Sequence, residues 1–536
     1  MRAAHGRTLL AASVTRARPA LKRQLELAQA AGADLVELRA DLIGDLSAVE
    51  AALRRPRPLP VILTLRSAAE GGAWSGAEHE RIATLLQLGA LRPDYIDIEW
   101  ATWRRSGSLR RKLRELCRLP VASNARGAEH RPSVGRPPAA PRLILSHHTN
   151  DPRPRRLPEL LACLSAGEAH VVKAAFCAHD ATDALRALAA ASELHGRDRL
   201  ILVAAGLAGL CTRVLAPKFG LFATFACLRA GSESATGQPT LAIMRERYRW
   251  AQVDAATRVF GVVGWPVTHS ASPLVHNAAL HACGINAVYL PFPVRPGYRN
   301  LVAYLELLTA WPELNVTGLS VTQPHKENVL RWLEARGQAL DGAAQRCRAV
   351  NTLTRRQNGT WLGSNTDLVG FREAVRCALL ARGIDLAGRR VAVLGAGGVA
   401  RAVAAALQEL GCCVVVYGQT ERRARRLARE LACQWRPWSE RSVYEAEVLV
   451  NCTPVGMSPE VRATPLPDVA IRPGTVVVDT IYDPPATHLQ RAARRRGCVV
   501  LGGREMFIRQ AVAQFEAWHR CSAPLDIMRR AASERC

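Results

Sequence analysis

The chain of 536 residues is poor in aromatic side chains, at 5%, and has no uninterrupted apolar run of the ~20 residues a membrane-spanning helix needs. Its alanine-rich stretches are broken by Arg, Asp or His every few positions. No membrane role is expected. Fifteen cysteines occur without any CxxC pair, and only Cys412 and Cys413 are adjacent, in an apolar stretch. That pattern argues against a disulfide framework and a zinc site, and fits a reducing cytoplasm. Acidic residues are absent before Glu26, while five arginines lie between Arg2 and Arg23. Such a segment resembles an organelle transit peptide, but Thr8–Val14 (TLLAASV) also reads as a first β-strand, and the strand is preferred.

What is abundant is positive charge, with 72 basic against 46 acidic residues and a formal net charge of +26. The arginines are spread along helical patterns rather than gathered in one block, and few aromatics are available to stack on bases. The expectation is attraction of small anions rather than nucleic-acid binding. At this length, with 49% hydrophobic residues, two or three packed domains are expected.

Eight short apolar runs alternate with helical patterns over the first ~250 residues: TLLAASV, LVELRAD, VILTLR, YIDIEW, RLILSHH, HVVKAAF, RLILVAAG and FATFACL. Helical segments such as 19–31 and 77–91 lie between them. This α/β alternation predicts a closed (β/α)8 barrel with its chemistry at the strand C-terminal ends. The Pro-, Gly- and Arg-rich segment 119–141 reads as a loop before the fifth strand. A second β/α series begins near Val259, and the junction 248–257 has no Gly/Ser linker.

In the barrel, Lys173 lies among Val172, Ala174 and Ala175, where apolar burial lowers a lysine pKa and frees an amine to attack a carbonyl. A lysine snorkelling from the strand end is the competing reading. His148 ends the preceding run and is a proton shuttle at the same rim, although either His147 or His148 is compatible with the inward position. Glu37, Arg39, Asp41, Arg66 and Glu70 add charges that a purely structural barrel has no reason to bury.

These pieces, with Thr212-Arg213 near GLAGL and SATGQ at 234–238, resemble the type I 3-dehydroquinate dehydratases over the whole first half. The resemblance implies that Lys173 forms an imine with the substrate ketone, that His148 removes the α-proton and protonates the leaving hydroxyl, and that Glu70 orients the histidine. It also implies Glu37, Arg39 and Arg66 on ring hydroxyls, and Arg213, Ser234 and Gln238 on the carboxylate. The family's Met-Gly, Ser-Arg and Ala-Pro-Gly-Gln stand here as Ala205-Gly206, Thr212-Arg213 and Ala235-Thr236-Gly237-Gln238.

In the second half, VAVLGAGGVARAV (391–403) takes an apolar strand through glycines into an alanine-rich helix, the geometry that cradles a dinucleotide pyrophosphate. Gly395 permits the turn, Gly397 and Gly398 let the backbone approach phosphates, and Ala400 allows close helix–strand packing. Upstream, Ser270 and Ser272 precede a proline that opens a helix, so their hydroxyls suit a carboxylate. Thr322 and Lys326 follow in SVTQPHKE, Asn351 in AVNTL and Asp367 in SNTDLVGF.

Together with NCTPVGM, DTIYDPPATHL and GGREMFIRQAV, these motifs resemble shikimate dehydrogenase across nearly all of 259–536. The resemblance implies a proton-donating Lys326 held by Asp367. It puts Ser270, Ser272 and Tyr482 on the substrate carboxylate, and Thr322, Asn351 and Gln510 on its hydroxyls. Cofactor contacts are implied at Gly395, Ala396, Gly397, Gly398, Val399, Gly418, Gln419, Thr420, Arg423 and Gly503. The run CVVVYGQT offers no acid for a ribose 2′-hydroxyl, so NADP is favoured over NAD. Arg423 is implied on the 2′-phosphate. The family's Asn-Arg-Thr is Gly418-Gln419-Thr420 here, which implies weaker discrimination against NAD.

The expected architecture is a barrel over 1–250, a substrate domain over 257–366, a Rossmann NADP-binding domain over 367–502 and a helical return over 503–536. The expected function is dehydration of 3-dehydroquinate followed by NADPH-dependent reduction of 3-dehydroshikimate to shikimate, by a cytoplasmic enzyme with no metal and only small-molecule partners. Two rivals are a quinate/shikimate dehydrogenase beside an inactive barrel, and a non-enzymatic quinate-sensing regulator.

Overall fold

The computed structural model describes residues 7–119, 138–151, 161, 169–194, 197–443 and 445–534. Most of the loop expected at 119–141 and the start of the arginine-rich N-terminus lie outside the described residues. The chain divides into two compact units, Met1–Thr257 with Leu290–Pro293, and Arg258–Tyr289 with Val294–Cys536.

In the first unit β1 (Leu9–Val14), β2 (Leu35–Arg39), β3 (Val61–Thr64), β4 (Tyr95–Glu99), β5 (Arg142–Thr149), β6 (Val171–Cys177), β7 (Leu200–Ala205) and β8 (Ala223–Cys227) form one sheet. Its order is β7-β6-β5-β4-β3-β2-β1-β8, with parallel pairing. Just ahead of β8, the Phe222 N–H donates to the Leu200 carbonyl at 2.8 Å, which brings the two ends of the sheet together. All eight expected strands are present, so the barrel forms as the alternation predicts.

Side chains on a strand alternate between faces, so every second residue points inward. Ala11, Leu35, Ile62, Tyr95, Ile144, Val171, Ile201, Ala223 and Phe225 form one buried apolar cluster. Two residues further along the strands come Ser13, Glu37, Thr64, Asp97, Ser146 and Lys173, all buried. The barrel interior is thus a packed apolar layer with a charged layer above it, toward the strand C-terminal ends where barrel enzymes carry their sites.

The remaining strands form two sheets. The first contains β9 (Arg258–Gly264), β10 (Ala287–Pro293), β11 (Val316–Val321), β12 (Ala339–Leu340), β13 (Thr352–Arg355) and β14 (Trp361–Ser364), in the order β10-β9-β11-β13-β14-β12. It is mixed: β13 runs antiparallel to both β11 and β14, a hairpin that periodicity did not single out. The other comprises β15 (Arg390–Leu394), β16 (Cys413–Gly418), β17 (Gln434–Pro437), β18 (Val448–Asn451), β19 (Val476–Asp479) and β20 (Val499–Leu501). All its pairs are parallel and its order is β17-β16-β15-β18-β19-β20. Counted from β15 this is the 3-2-1-4-5-6 order of a dinucleotide-binding sheet, whose ligand crevice opens where the order reverses, between β15 and β18.

Candidate active sites

At the C-terminal ends of the barrel strands, Lys173 Nζ donates to Glu37 Oε1 at 3.1 Å and to Asp97 Oδ2 at 3.0 Å. The ammonium lies 4.5 Å from the centre of the Phe225 ring. This corrects the expectation of an apolar cage: Lys173 is only 5% exposed, but period-two alternation turns Val172 and Ala174 outward and leaves the amine between two carboxylates.

Arg66 joins this pair to the histidine. Its Nη2 donates to Asp97 at 3.0 Å, and its Nη1 lies 2.7 Å from Ser146 Oγ and 2.8 Å from His148 Nδ1. Ser146 Oγ in turn donates to Asp97 Oδ1 at 2.5 Å. Opposite Lys173 across the β5–β6 ladder stands Ser146, and His148 follows two residues later on the same face. The structure therefore selects His148 over His147 as the inward histidine.

Glu70 Oε2 accepts from the His148 backbone N–H at 2.8 Å and lies 3.2 Å from its Nδ1. Burial raises the Glu70 carboxyl to about 7. Burial, with Arg66 and Lys173 nearby, holds the His148 imidazole well below its usual range, so it is neutral. Although burial alone acts the other way, Arg66 and Lys173 keep the Asp97 carboxyl below its ordinary value, and Lys173 and Arg39 do the same for Glu37.

The remaining predicted residues surround this array. Arg39 is clamped by Asp41 through two bonds of 3.0 and 2.7 Å. Ser13 Oγ donates to Glu37 at 3.0 Å and accepts from Ser234 at 3.2 Å and Gln238 at 3.1 Å. Arg213 is fully buried, donates to the Phe225 carbonyl at 3.1 Å, and is pushed by burial down to about 10. Sequence reasoning passed over Asp97, Ser146 and Ser13. The signal for Asp97 was present in YIDIEW, where Tyr95, Asp97 and Glu99 alternate with two isoleucines.

In the second unit Lys326 opens the helix Lys326–Glu334 and is 8% exposed. Its Nζ is bonded to Asp367 Oδ2, from the first turn of the helix Thr366–Leu380, which Asn365 caps by accepting from the Asp367 and Leu368 N–H groups. Asn351 is more constrained than expected: its Oδ1 accepts from Thr366 N–H at 2.7 Å and Thr352 Oγ1 at 2.8 Å, while Nδ2 donates to Thr366 Oγ1 at 3.0 Å. One amide hydrogen stays available.

Ser270 Oγ accepts from the Ser272 N–H at 3.3 Å, and Ala271, with no side-chain bond, precedes the helix Ser272–Ala282. Ser272 hydrogen-bonds Tyr289, whose hydroxyl donates to Ser320 at 2.7 Å, and Ser320 donates to Gln514 Oε1 at 2.7 Å. This buried chain behind the serines was not anticipated. Thr322 follows β11 directly, and Tyr482 stacks on Phe507 with ring centres 4.5 Å apart. Gln510 Nε2 donates to the Phe507 carbonyl at 2.9 Å.

At the glycine turn Gly395 has φ +119°, closed to most side chains, and any Cβ there lies 3.0 Å from the Cys452 carbonyl. Gly397 precedes the helix Gly398–Glu409, has no side-chain cap and faces open space. These unpaired amides suit a pyrophosphate, so the residues present fit a dinucleotide. Gly398 has a different reason from the one expected: an added Cβ falls 2.8 Å from Lys326 Cδ, so it makes room for the lysine. Ala396 and Val399 flank the turn half-buried, and Gly418 packs against Ala424 and Ala396. Gln419, Thr420 and Arg423 are exposed. At Gly503 a Cβ meets the Thr480 carbonyl at 2.2 Å, so that glycine serves close backbone packing.

Residues 11–255 match the Type I 3-dehydroquinase family, residues 262–353 the Shikimate dehydrogenase substrate binding domain, and residues 503–532 the Shikimate 5'-dehydrogenase C-terminal domain. Residues 390–482 match NADP oxidoreductase coenzyme F420-dependent. A protein of Arabidopsis thaliana, the chloroplastic bifunctional 3-dehydroquinate dehydratase/shikimate dehydrogenase, is 34% identical over 514 residues, covering 92% of this chain and 79% of the plant protein.

The chain belongs to the bifunctional 3-dehydroquinate dehydratase/shikimate dehydrogenase family. About half of the chain is also 41% identical to the shikimate dehydrogenase (NADP(+)) of Moorella thermoacetica, covering 53% of this chain and 95% of that one. A solved shikimate dehydrogenase in complex with NADP+ aligns over 53% of this chain and 97% of its own, with 30% identity and a TM-score of 0.48. Among the described residues no cluster of metal-ligating side chains occurs, and no helix is long and apolar enough to cross a membrane.

Proposed function

We propose that the chain is a bifunctional enzyme that dehydrates 3-dehydroquinate to 3-dehydroshikimate in its barrel and reduces that product to shikimate with NADPH in its second unit. The observation that carries the reading is a pair of buried lysines, each engaged by carboxylates, one at the barrel rim and the other against the dinucleotide turn.

In the barrel Lys173 passes a proton to Glu37, and its neutral amine attacks the ketone, which loses water to form an imine, for which Asp97 remains as counterion. Neutral His148 removes the α-proton through Nε2, with its Nδ1 hydrogen given to Glu70 in place of the Arg66 contact, and returns the proton to the departing hydroxyl. Water then hydrolyses the product imine, releasing 3-dehydroshikimate and the free Lys173 amine. Proton transfer of this kind is typically worth ~10²–10⁴ in rate. Glu37, Arg39 and Arg66 face ring hydroxyls, and Arg213, Ser234 and Gln238 the carboxylate.

In the second unit Lys326, fixed by Asp367, gives a proton to the ketone oxygen. Ser270, Ser272 and Tyr482 hold the carboxylate, and Thr322, Gln510 and the spare hydrogen of Asn351 the hydroxyls. NADPH, when bound, supplies the hydride. Gly395 to Val399 receive its pyrophosphate, Gly418, Gln419, Thr420 and Arg423 its 2′-phosphate end, and Gly503 backs the nicotinamide side. Domain limits of 1–250, 257–366, 367–502 and 503–536 belong to the same proposal. So does a cytoplasmic location, supported by thirteen described cysteines that are all free.

Borohydride trapping tests the dehydratase half. Reduction in the presence of 3-dehydroquinate is expected to add mass to the Lys173 peptide, and Lys173→Ala to abolish the adduct while sparing NADPH oxidation by 3-dehydroshikimate. An adduct elsewhere, or none, contradicts the assignment.

A further inference from the structure

Beside the proposed proton donor, the lysine helix carries Glu327, which has no role in either reaction. It faces two guanidinium groups from the dinucleotide-binding elements. Arg401, three residues after Gly398 on the same helix face, is 2% exposed. It bonds Glu430 through Nη1 at 2.5 Å and places Nε 4.0 Å from Glu327 Oε1. Arg426, from the arginine-rich helix Glu421–Glu430, bonds Glu430 through Nε at 2.8 Å and places Nη1 3.6 Å from Glu327 Oε2. Arg401 Nε is buried and has no hydrogen-bond partner among the described residues.

An orphaned buried guanidinium N–H is costly, and here an approach of roughly 1 Å by the nearest carboxylate brings it within hydrogen-bond range. That carboxylate adjoins Lys326. A second contact already joins the same two helices, because the Lys326 stem lies where a Cβ of Gly398 would be. The arginine helix is divided in its commitments. Arg425 pairs with Glu421 and lies over Trp435, and Arg426 with Glu430 and Glu327. Among the described residues Arg422 and Arg423 have no carboxylate partner and are exposed, free to meet a phosphate.

We infer that Glu327 is a positioning residue: through Arg401 and Arg426 it ties the Lys326 helix to the two helices that hold the dinucleotide, so that cofactor and substrate strengthen each other's binding. The cluster has two arrangements, the loose one seen here and a closed one in which Glu327 completes the Arg401 bond. A dinucleotide on the glycine turn and the arginine helix, and a substrate against Lys326, each favour the closed one. Coupling of this origin is reciprocal. The inference rests on the reductase assignment above.

The test uses the full chain and two ligands that do not react together, shikimate and NADPH, both already reduced. Calorimetry gives the Kd of shikimate alone and with saturating NADPH. In the wild type NADPH is expected to tighten shikimate binding at least about five-fold, the lower end of ordinary allosteric coupling. In Glu327→Gln that ratio falls below about two while each ligand binds singly as before, Glu327→Asp recovers part of it, and Arg426→Gln in the Glu327→Gln background has no further effect. Unchanged affinities for each ligand alone report that the second unit of the variants is folded. A wild-type ratio near one, or an undiminished ratio in Glu327→Gln, overturns the inference. Failure of NADPH to bind the wild type, or of shikimate to bind even with NADPH present, overturns instead the reductase assignment.

Discussion

Asp97 shares its two oxygens among Lys173, Arg66 and Ser146, so one buried carboxylate fixes both the imine-forming amine and, through Arg66, the histidine that moves protons. Removing one partner of a buried ion pair typically costs about 3–5 kcal/mol. Asp97→Asn is therefore expected to lose dehydratase activity at clearly lower urea concentration than the wild type, with reductase activity lost at the wild-type concentration. Coincident dehydratase midpoints contradict this role. Glu70 sets a pH dependence. Its pKa is raised to about 7 by burial, so below that pH it is protonated and a poor acceptor, and His148 Nδ1 keeps the Arg66 hydrogen seen here. Above it the carboxylate can take a hydrogen on Nδ1 once Arg66 turns to Asp97 and Ser146, the tautomer that leaves Nε2 free as base. Dehydratase kcat/KM is expected to rise through neutrality, and Glu70→Gln to lower the plateau and remove that limb. A limb that persists in Glu70→Gln assigns it to another group.

At the scale of the element, the glycine turn and the lysine helix form one structure. Gly398→Ala places a methyl 2.8 Å from Lys326 Cδ and must displace the lysine stem or the helix. The expected outcome is a reductase kcat lowered at least about ten-fold, within the range that a lost positioned proton donor commands. NADPH binding measured alone is expected to fall less. A wild-type kcat contradicts the tight fit.

The barrel strands, the glycine turn and the paired motifs were legible in the sequence because each is local: strand alternation has period two, and a phosphate-binding turn is a few adjacent residues. Most of what escaped was long-range. Asp97 reads as part of an apolar strand until β5 and β6 are set beside it, and Ser320 and Gln514 bond across 194 residues. Lys173 was legible as buried but not as ion-paired, since its partners come from β2 and β4. The β13–β14 hairpin was legible locally but passed over: its loop carries Asn358-Gly359, a strong hairpin dipeptide, with Gly359 at φ +81°. Only its antiparallel pairing with β11 is long-range.

For the molecule as a whole, the net charge of +26 is the kind of field that draws anionic substrates and a phosphorylated dinucleotide toward a protein. Two separate lysine sites on one chain make a stronger demand: each chemistry must fail alone. Lys326→Ala is expected to abolish reduction of 3-dehydroshikimate and leave formation of that compound from 3-dehydroquinate intact, measured by its ultraviolet absorbance. The most direct measurement supplies 3-dehydroquinate and NADPH together and follows NADPH consumption. The account predicts that the wild type consumes NADPH, that Lys173→Ala stops this with 3-dehydroquinate, and that the same variant still consumes NADPH when given 3-dehydroshikimate. Consumption that survives Lys173→Ala with 3-dehydroquinate, or a wild type inert toward 3-dehydroshikimate, would contradict it.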